Sequence, residues 1–243
     1  MPGNDNERPR TVRDAMDSAM GEVRNSRRSN RRNILMILAI VGIVVVARQM
    51  GFLGDGYQGQ PRDTVDIAAL DAELAALPFV PVLDSNGQGV RVVEFFDYRC
   101  GHCRAMAPIV HDALAEGAEP FTLVPIELPI LGPESVLASQ YAMAAALQGD
   151  YGPYHRALMF STVPYTDEGL TDLGAALGLD PVRLSTDAHG DEVAAILNAN
   201  RALAAGIGVD GTPSFVIGDM LIVGAIDEAS FVGLIAASDE PQN

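Results

Sequence analysis

The chain holds two cysteines, and they stand two residues apart in Cys100-Gly101-His102-Cys103. Before them runs Val90-Arg91-Val92-Val93-Glu94-Phe95-Phe96, which reads as a strand, and after them Ala105 to Ala115 reads as a helix. A strand that ends in a dithiol opening a helix puts the first sulfur at the positive helix end, beside backbone N–H groups that have no intrahelical partner. Its thiolate is stabilised there. Cys103, one turn further in, is expected to be more buried and to stay protonated until it is needed. His102 sits between them, where a cationic or hydrogen-bonding imidazole favours the Cys100 thiolate. Arg99 and Arg104 are expected to be solvated.

Two cysteines cannot make a disulfide framework for a domain of this size. The pair is redox-active, or supplies part of a metal site, or is inert. A metal-binding or metallochaperone module would use Cys100, Cys103 and His102 as ligands, but structural zinc wants four, and the sequence has no second cysteine pair. An adaptor domain with an inert disulfide is the third reading. No metal and no cofactor beyond the Cys100–Cys103 disulfide is expected.

Compartment bears on the choice, and the N-terminus speaks to it. Ile34 to Ala47 is an unbroken apolar run, about 21 Å long as a helix against a hydrocarbon core of about 30 Å. Counting on to Leu53 lengthens it, interrupted by Arg48 and Gln49, and Arg48 can snorkel to the far interface. Arg24, Arg27, Arg28, Arg31 and Arg32 precede the run, which keeps residues 1–33 cytoplasmic and exports the chain beyond the run. The long leader, and the lack of a polar stretch before any small-residue cleavage site, favour an uncleaved signal-anchor over a cleaved signal peptide. The expected location is therefore a bacterial inner membrane, crossed once at 34–53, with the catalytic domain in the periplasm, where a dithiol can cycle. Residues 1–48 carry nine Arg and five acids, and the rest seven Arg and 27 acids, within a net charge of −16. So acidic an exported part repels phosphate, and nucleic acid is not expected as a partner.

Gly51 to Asp63 is rich in Gly and Gln and reads as a flexible tether. Thr64 to Leu77 has Val65, Ile67, Leu70, Leu74 and Leu77 at helical spacing, so residues 54–78 are expected to be a linker and an amphipathic helix. That helix packs on the domain or, alternatively, makes oligomers. From Phe79 the pattern turns α/β and holds to about 238. Phe79–Leu83 reads as a strand, Asp84-Ser85-Asn86-Gly87 as a turn, and Phe121–Leu128 as a strand whose Pro125 implies an edge or a bulge. Residues 129–190 read as an inserted helical block: Ser135–Leu147 capped by Ser135, Tyr154–Phe160, Glu168–Leu177 capped by Thr166 or Asp167, and a short piece from Pro181. A helix over Glu192–Ala205, strands Ser214–Ile217 and Met220–Val223, and a last helix from Asp227 to about Ala237 complete the chain. His111 and His189 are expected to be surface or plain helix residues.

Two further constellations carry chemistry. Gly211-Thr212-Pro213-Ser214-Phe215 opens a strand with a proline, which cannot donate a ladder hydrogen bond. A cis Thr212–Pro213 bond would make a tight turn there and leave backbone groups to pair with an extended substrate. Glu94 lies six residues before Cys100, and strand alternation aims it at the base of the dithiol helix. A half-buried carboxyl there has a raised pKa and can relay protons to Cys103; the alternative is a solvated strand residue. Asp97 is expected to be more exposed.

Phe95-Phe96-Asp97-Tyr98-Arg99-Cys100-Gly101-His102-Cys103, taken with Gly211-Thr212-Pro213-Ser214-Phe215, resembles the DsbA-like thiol–disulfide oxidoreductases of the thioredoxin superfamily. The likeness runs from about Phe79 to Ala237. Pro129-Ile130-Leu131-Gly132 and Gln148-Gly149-Asp150-Tyr151 before Tyr154-His155 resemble the family's helical insertion. The resemblance implies an α/β thioredoxin-like fold with an inserted helical domain, Cys100 as nucleophile, Cys103 as resolving cysteine and Pro213 as a cis-proline opposite them. It also implies that Glu94 is the family's buried acid and that His155 is structural. The partners it implies are unfolded or partly folded exported proteins, and a membrane redox protein that resets the dithiol. DsbA itself has Pro where Gly101 stands and Val where Thr212 stands. The Gly-His dipeptide resembles protein disulfide isomerase, so both introduction and isomerisation of disulfides stay open.

Overall fold

The computed structural model describes residues 60–84, 89–116 and 120–239. These residues belong to one of the chain's two units, Tyr57–Asn243. The basic segment 1–33, the apolar run 34–53, most of the expected tether and most of the turn after Asp84 lie outside the described residues. Among the described residues no helix is long and apolar enough to cross a membrane.

Six strands form one sheet: β1 (Gln60–Thr64), β2 (Leu83–Asp84), β3 (Val90–Phe96), β4 (Phe121–Glu127), β5 (Ser214–Ile217) and β6 (Met220–Val223), in the order β1-β6-β5-β3-β4-β2. β3 pairs parallel with β4, while β5, β6 and β1 continue antiparallel from its other side. The helices are α1 (Ile67–Ala76), α2 (Gly101–Glu116), α3 (Pro133–Ala146), α4 (Tyr151–Phe160), α5 (Asp167–Ala176), α6 (Pro181–Ala188), α7 (Asp191–Gly206) and α8 (Glu228–Asp239).

Alternation along β3 divides the core. Val93 and Phe95 pack with Leu70 and Leu74 of α1 and Leu203 and Ala204 of α7 on one face. Val92 packs with Met106 and Val110 of α2 and Phe231 and Ile235 of α8 on the other. Glu94 and Phe96 share that second face. A third cluster joins Phe96, Tyr98, Cys100 and Cys103 to the insertion's own core of Tyr141, Tyr154, Leu158, Leu170 and Leu184. The dithiol therefore sits where the sheet, α2 and the helical insertion meet.

Several sequence expectations are corrected. Gln60–Asp63, read as tether, and Thr64, read as helix, form a strand paired with β6, with a register irregularity between Pro61 and Asp63. α1 starts at Ile67, not Thr64, because Asp66 caps it by accepting from Ala69 N at 3.1 Å. The strand expected over Phe79–Leu83 shrinks to Leu83–Asp84, since Pro78 and Pro81 cannot donate to a ladder. Pro125 marks no bulge: Glu94↔Pro125 falls in an unbroken parallel register. It does lie near an edge, for β2 covers only Thr122 and Leu123. Ser135 is not a cap, because α3 begins at Pro133 behind Gly132, whose φ of 112° suits glycine. Thr166 caps α5 as read, accepting from Gly169 N at 3.2 Å.

Candidate active site

The elbow between β3 and α2 is built on Asp97, and the sequence reading had this residue wrong. Its side chain is fully buried, because four donors converge on it. Oδ1 accepts from Arg99 N at 2.7 Å and Ser135 Oγ at 2.8 Å, and Oδ2 from Ile130 N at 2.8 Å and Leu131 N at 3.0 Å. The Asp97 carbonyl accepts from Cys100 N at 3.0 Å. One carboxylate thus clamps the elbow to the loop that starts the insertion.

Cys100 occupies the N-cap of α2, its carbonyl accepting from Arg104 N at 3.0 Å. Its sulfur accepts from the Cys103 N–H at 3.4 Å and lies 3.3 Å from the Thr212 carbonyl. Both cysteines are free thiols. The hydrogen bond from the Cys103 thiol does most to stabilise the Cys100 thiolate, and the backbone N–H of Cys103 and the side chain of Thr212 add to it. Together they overcome desolvation and bring its pKa down to about 5. Burial first, and then the Cys100 sulfur and Glu94, push the Cys103 thiol far up, so it keeps its proton. Cys103 is the more deeply buried of the two, as expected, but Cys100 is itself only 7% exposed, a narrow access under the Thr212 loop. Its expected helper is also relocated: His102 is exposed, and what it lends to the thiolate is its backbone N–H.

Thr212–Pro213 is cis. Gly224 N holds the Pro213 carbonyl at 2.8 Å and Ser214 Oγ holds that of Gly211 at 2.8 Å, which fixes the loop facing Cys100. Glu94 is 3% exposed in the middle of β3, flanked by Pro125 and Phe215. Burial, and to a lesser degree the charge of Cys100, raise its pKa to about 8. A carboxyl there is protonated at neutrality and has a proton to exchange.

Other residues were missed or misjudged. Arg104 is not solvated: its guanidinium binds the Leu158 carbonyl at 2.9 Å, the Tyr165 hydroxyl at 3.2 Å and the Ser161 carbonyl, tying α2 to the end of α4. Arg99 is half-exposed as read, and reaches the Leu131 carbonyl at 3.1 Å and Glu134 at 3.1 Å. His111, expected at the surface, is buried, and burial lowers its pKa to about 4. His189 is exposed and pairs with Asp167 at 2.7 Å. Glu127 ends β4 fully buried, an acid in an otherwise apolar strand, and that contrast was the signal that could have found it. Among the described residues no group of three or more His, Cys, Asp or Glu is placed to hold a metal ion.

Comparison with known proteins agrees with this geometry. Residues 91–236 match the family model of the DSBA-like thioredoxin domain. A thioredoxin-like oxidoreductase from Silicibacter pomeroyi DSS-3 is 35% identical with a TM-score of 0.64, over 70% of this chain and 98% of its own. The thiol-disulfide exchange protein alpha-DsbA2 from Wolbachia pipientis is 27% identical with a TM-score of 0.63, over 70% and 92%. The catalytic domain of Proteus mirabilis ScsC, 22% identical with a TM-score of 0.62 over 71% and 96%, shares the fold. None of the curated proteins matches the chain. An acidic sulfur capping α2, a resolving thiol one turn away and a cis-proline loop across from them stand on a thioredoxin-like sheet interrupted by helices, and with the match over 91–236 this makes the chain a member of the DSBA-like thioredoxin-domain family of thiol–disulfide oxidoreductases.

Proposed function

We propose that this protein is an exported, membrane-tethered oxidoreductase that introduces disulfides into folding proteins through a mixed disulfide at Cys100. The observation that carries the direction of transfer is the Cys100 thiolate, held near a pKa of about 5. A sulfur so stabilised in the reduced state is a good leaving group, and its disulfide gives up its bond readily, which makes it an oxidant. A substrate thiolate attacks Cys100 Sγ of the Cys100–Cys103 disulfide. Cys103 departs and takes a proton, with Glu94 beneath it as the donor. The second substrate thiolate then attacks its own mixed disulfide, and Cys100 leaves as a thiolate. Two substrate thiols lose two electrons and two protons; the dithiol gains the electrons and one proton, and the other proton is released. A membrane protein of the opposite redox tendency resets the disulfide.

The apolar run 34–53 and the arginines before it support the tether and the export. Isomerisation through an oligomer built on Thr64–Leu77 is disfavoured, because Leu70 and Leu74 already face the domain's own core. Incubation of the oxidised protein with a reduced, unfolded polypeptide tests the reading: disulfides should appear in the polypeptide stoichiometrically. Fractionation with protease protection of the full chain tests the tether. A protein that left the polypeptide reduced, and in its reduced form passed electrons to oxidised glutathione to completion, would contradict the proposed direction.

A further inference from the structure

A second buried carboxyl lies beneath the elbow, and the exchange steps leave it unused. Phe96↔Glu127 and Glu94↔Pro125 are paired in register, so Glu127 shares the α2-facing side of the sheet with Glu94, one diagonal step away. Its Oε1 accepts from the Tyr98 hydroxyl at 2.7 Å and the Tyr151 hydroxyl at 3.1 Å, and its Oε2 from Ser139 Oγ at 2.7 Å. Tyr98 is two residues before Cys100. Its hydroxyl also lies 3.0 Å from His155 Nδ1, and the Tyr151 hydroxyl 3.4 Å from the same nitrogen. The His155 ring stacks on Tyr151 and faces His111 of α2 with centroids 5.6 Å apart. The cluster therefore touches the dithiol helix at both ends, through Tyr98 before Cys100 and through His111 two turns after Cys103.

Proton counting makes this cluster a two-state element. When Glu127 is ionised, Tyr98, Tyr151 and Ser139 all donate to it, and His155 must carry its proton on Nδ1 to donate to Tyr98. When Glu127 is protonated on Oε1, its O–H donates to a tyrosine oxygen, that tyrosine turns its proton toward His155, and Nδ1 becomes the acceptor. A proton on Oε1 thus sets the tautomer of His155, whereas one on Oε2 donates to Ser139 Oγ. Its hydroxyl partners leave an ionised Glu127 without a balancing cation, and burial raises its pKa to about 8, with Asp97 adding to the rise. From the other elements, Glu94 of β3 acts on Tyr151, Arg156 lowers His111 and His155, and Asn200 of α7 donates to the Glu127 carbonyl at 3.3 Å. Reduction of the disulfide leaves a negative charge on Cys100, which disfavours ionised Glu94 directly; Glu127 meets the dithiol through Tyr98, whose hydroxyl it holds two residues before Cys100.

We propose that Glu127 is a positioning residue whose cluster with Tyr98 and His155 takes up a proton when the dithiol is reduced, so that the pH dependence of exchange above neutrality is set by two carboxyls and not by Glu94 alone. This rests on the oxidoreductase reading, and the proton balance stays closed. Of the two protons released as substrate thiols form their S–S bond, Cys103 takes one, and Glu127 takes the other whenever it was ionised.

The test follows the equilibrium constant between the full-length protein and glutathione from about pH 6 to about pH 9, in wild type, Glu127→Gln and Tyr98→Phe. Each proton coupled to reduction changes that constant up to about tenfold per pH unit. Glu127→Gln is expected to flatten the dependence between about pH 7 and about pH 9, while the thiolate titration of Cys100 near 5, read by ultraviolet absorbance, stays in place. Tyr98→Phe keeps the ring and cuts the link to the elbow, so it should flatten the same window even if Glu127→Gln folds poorly. A wild-type pH profile in either folded variant overturns the proposal. Absence of exchange in the wild-type protein at every pH overturns the oxidoreductase reading instead.

Discussion

The Thr212 carbonyl stands 3.3 Å from Cys100 Sγ, and the Cys103 N–H caps the same sulfur at 3.4 Å. The nucleophile is thus held between the cis-proline loop and its own helix, with the resolving thiol one turn behind it. Cys100→Ala should abolish exchange, whereas Cys103→Ala should accumulate mixed disulfides with substrate, visible as higher-mass bands on non-reducing gels. If Cys103→Ala released substrate as fast as wild type, Cys103 would not be the resolving thiol.

The state of the dithiol should alter stability in a pH-dependent way. The Cys100 pKa falls from 9.0 unfolded to about 5 folded, so the folded reduced protein binds fewer protons than the unfolded chain between those values. Its stability therefore rises with pH from about 5 to about 9, a gain the disulfide form lacks. The Tm of the reduced protein should therefore rise relative to that of the oxidised protein across that window. A constant gap would mean that the thiolate is not stabilised by the fold.

In the free-thiol protein the buried acids and histidines work against each other. Glu94 and Glu127 have pKa values raised from 4.5 to about 8, so they cost stability as pH rises through that range. His111 and His155 are depressed from 6.5 to about 4 and about 3, so stability is lost as pH falls below 6.5 toward those values. Between about pH 4.5 and about pH 6.5 the two pairs offset one another; above that the two acids outweigh the single Cys100 thiol. Stability by urea unfolding should decline from about pH 6.5 to about pH 8, and Glu94→Gln should make the decline shallower.

Asp97→Ala should be among the costliest single changes at the elbow. It strands the backbone N–H groups of Arg99, Ile130 and Leu131, each worth about 1–3 kcal/mol when buried without a partner. Water will reach some of them, so a loss of about 3 kcal/mol is expected from chemical denaturation. Hydrogen exchange should rise first at Ile130 and Leu131. An unchanged midpoint would show that the clamp is not structural.

Phe231→Ala tests the core away from the site. Phe231 is fully buried, with its ring 5.8 Å from both Phe121 and Phe215, and the truncation should cost about 3–5 kcal/mol. The Cys100 titration of the folded variant should not move.

The parts of the site that lie along one stretch of chain were legible in the sequence. The dithiol, its helix, the strand carrying Glu94 and the proline of the Thr212 loop all announce themselves through spacing and alternation. What was not legible depends on partners distant in sequence. Asp97 comes just after the strand and looks solvent-facing until Ile130, Leu131 and Ser135 fold over it. His111 looks like any helical histidine until His155 stacks beneath the same helix. Gln60–Asp63 looks like spacer because its strand character comes from the edge that β6 offers it. Pro78 and Pro81 erased a strand that apolar content alone suggested.

The two margins of the sheet are finished differently. β1 is the margin beyond β6, and Pro61 with the register irregularity after it interrupts that edge, while beyond the two-residue β2 the border of β4 carries Pro125, which has no N–H to offer. Neither margin is an inviting template for another extended chain. For the proposed work on unfolded clients, whose own strands are unsatisfied, this means contact can stay at the sulfur and end when the bond is transferred, without client and catalyst growing into a shared sheet.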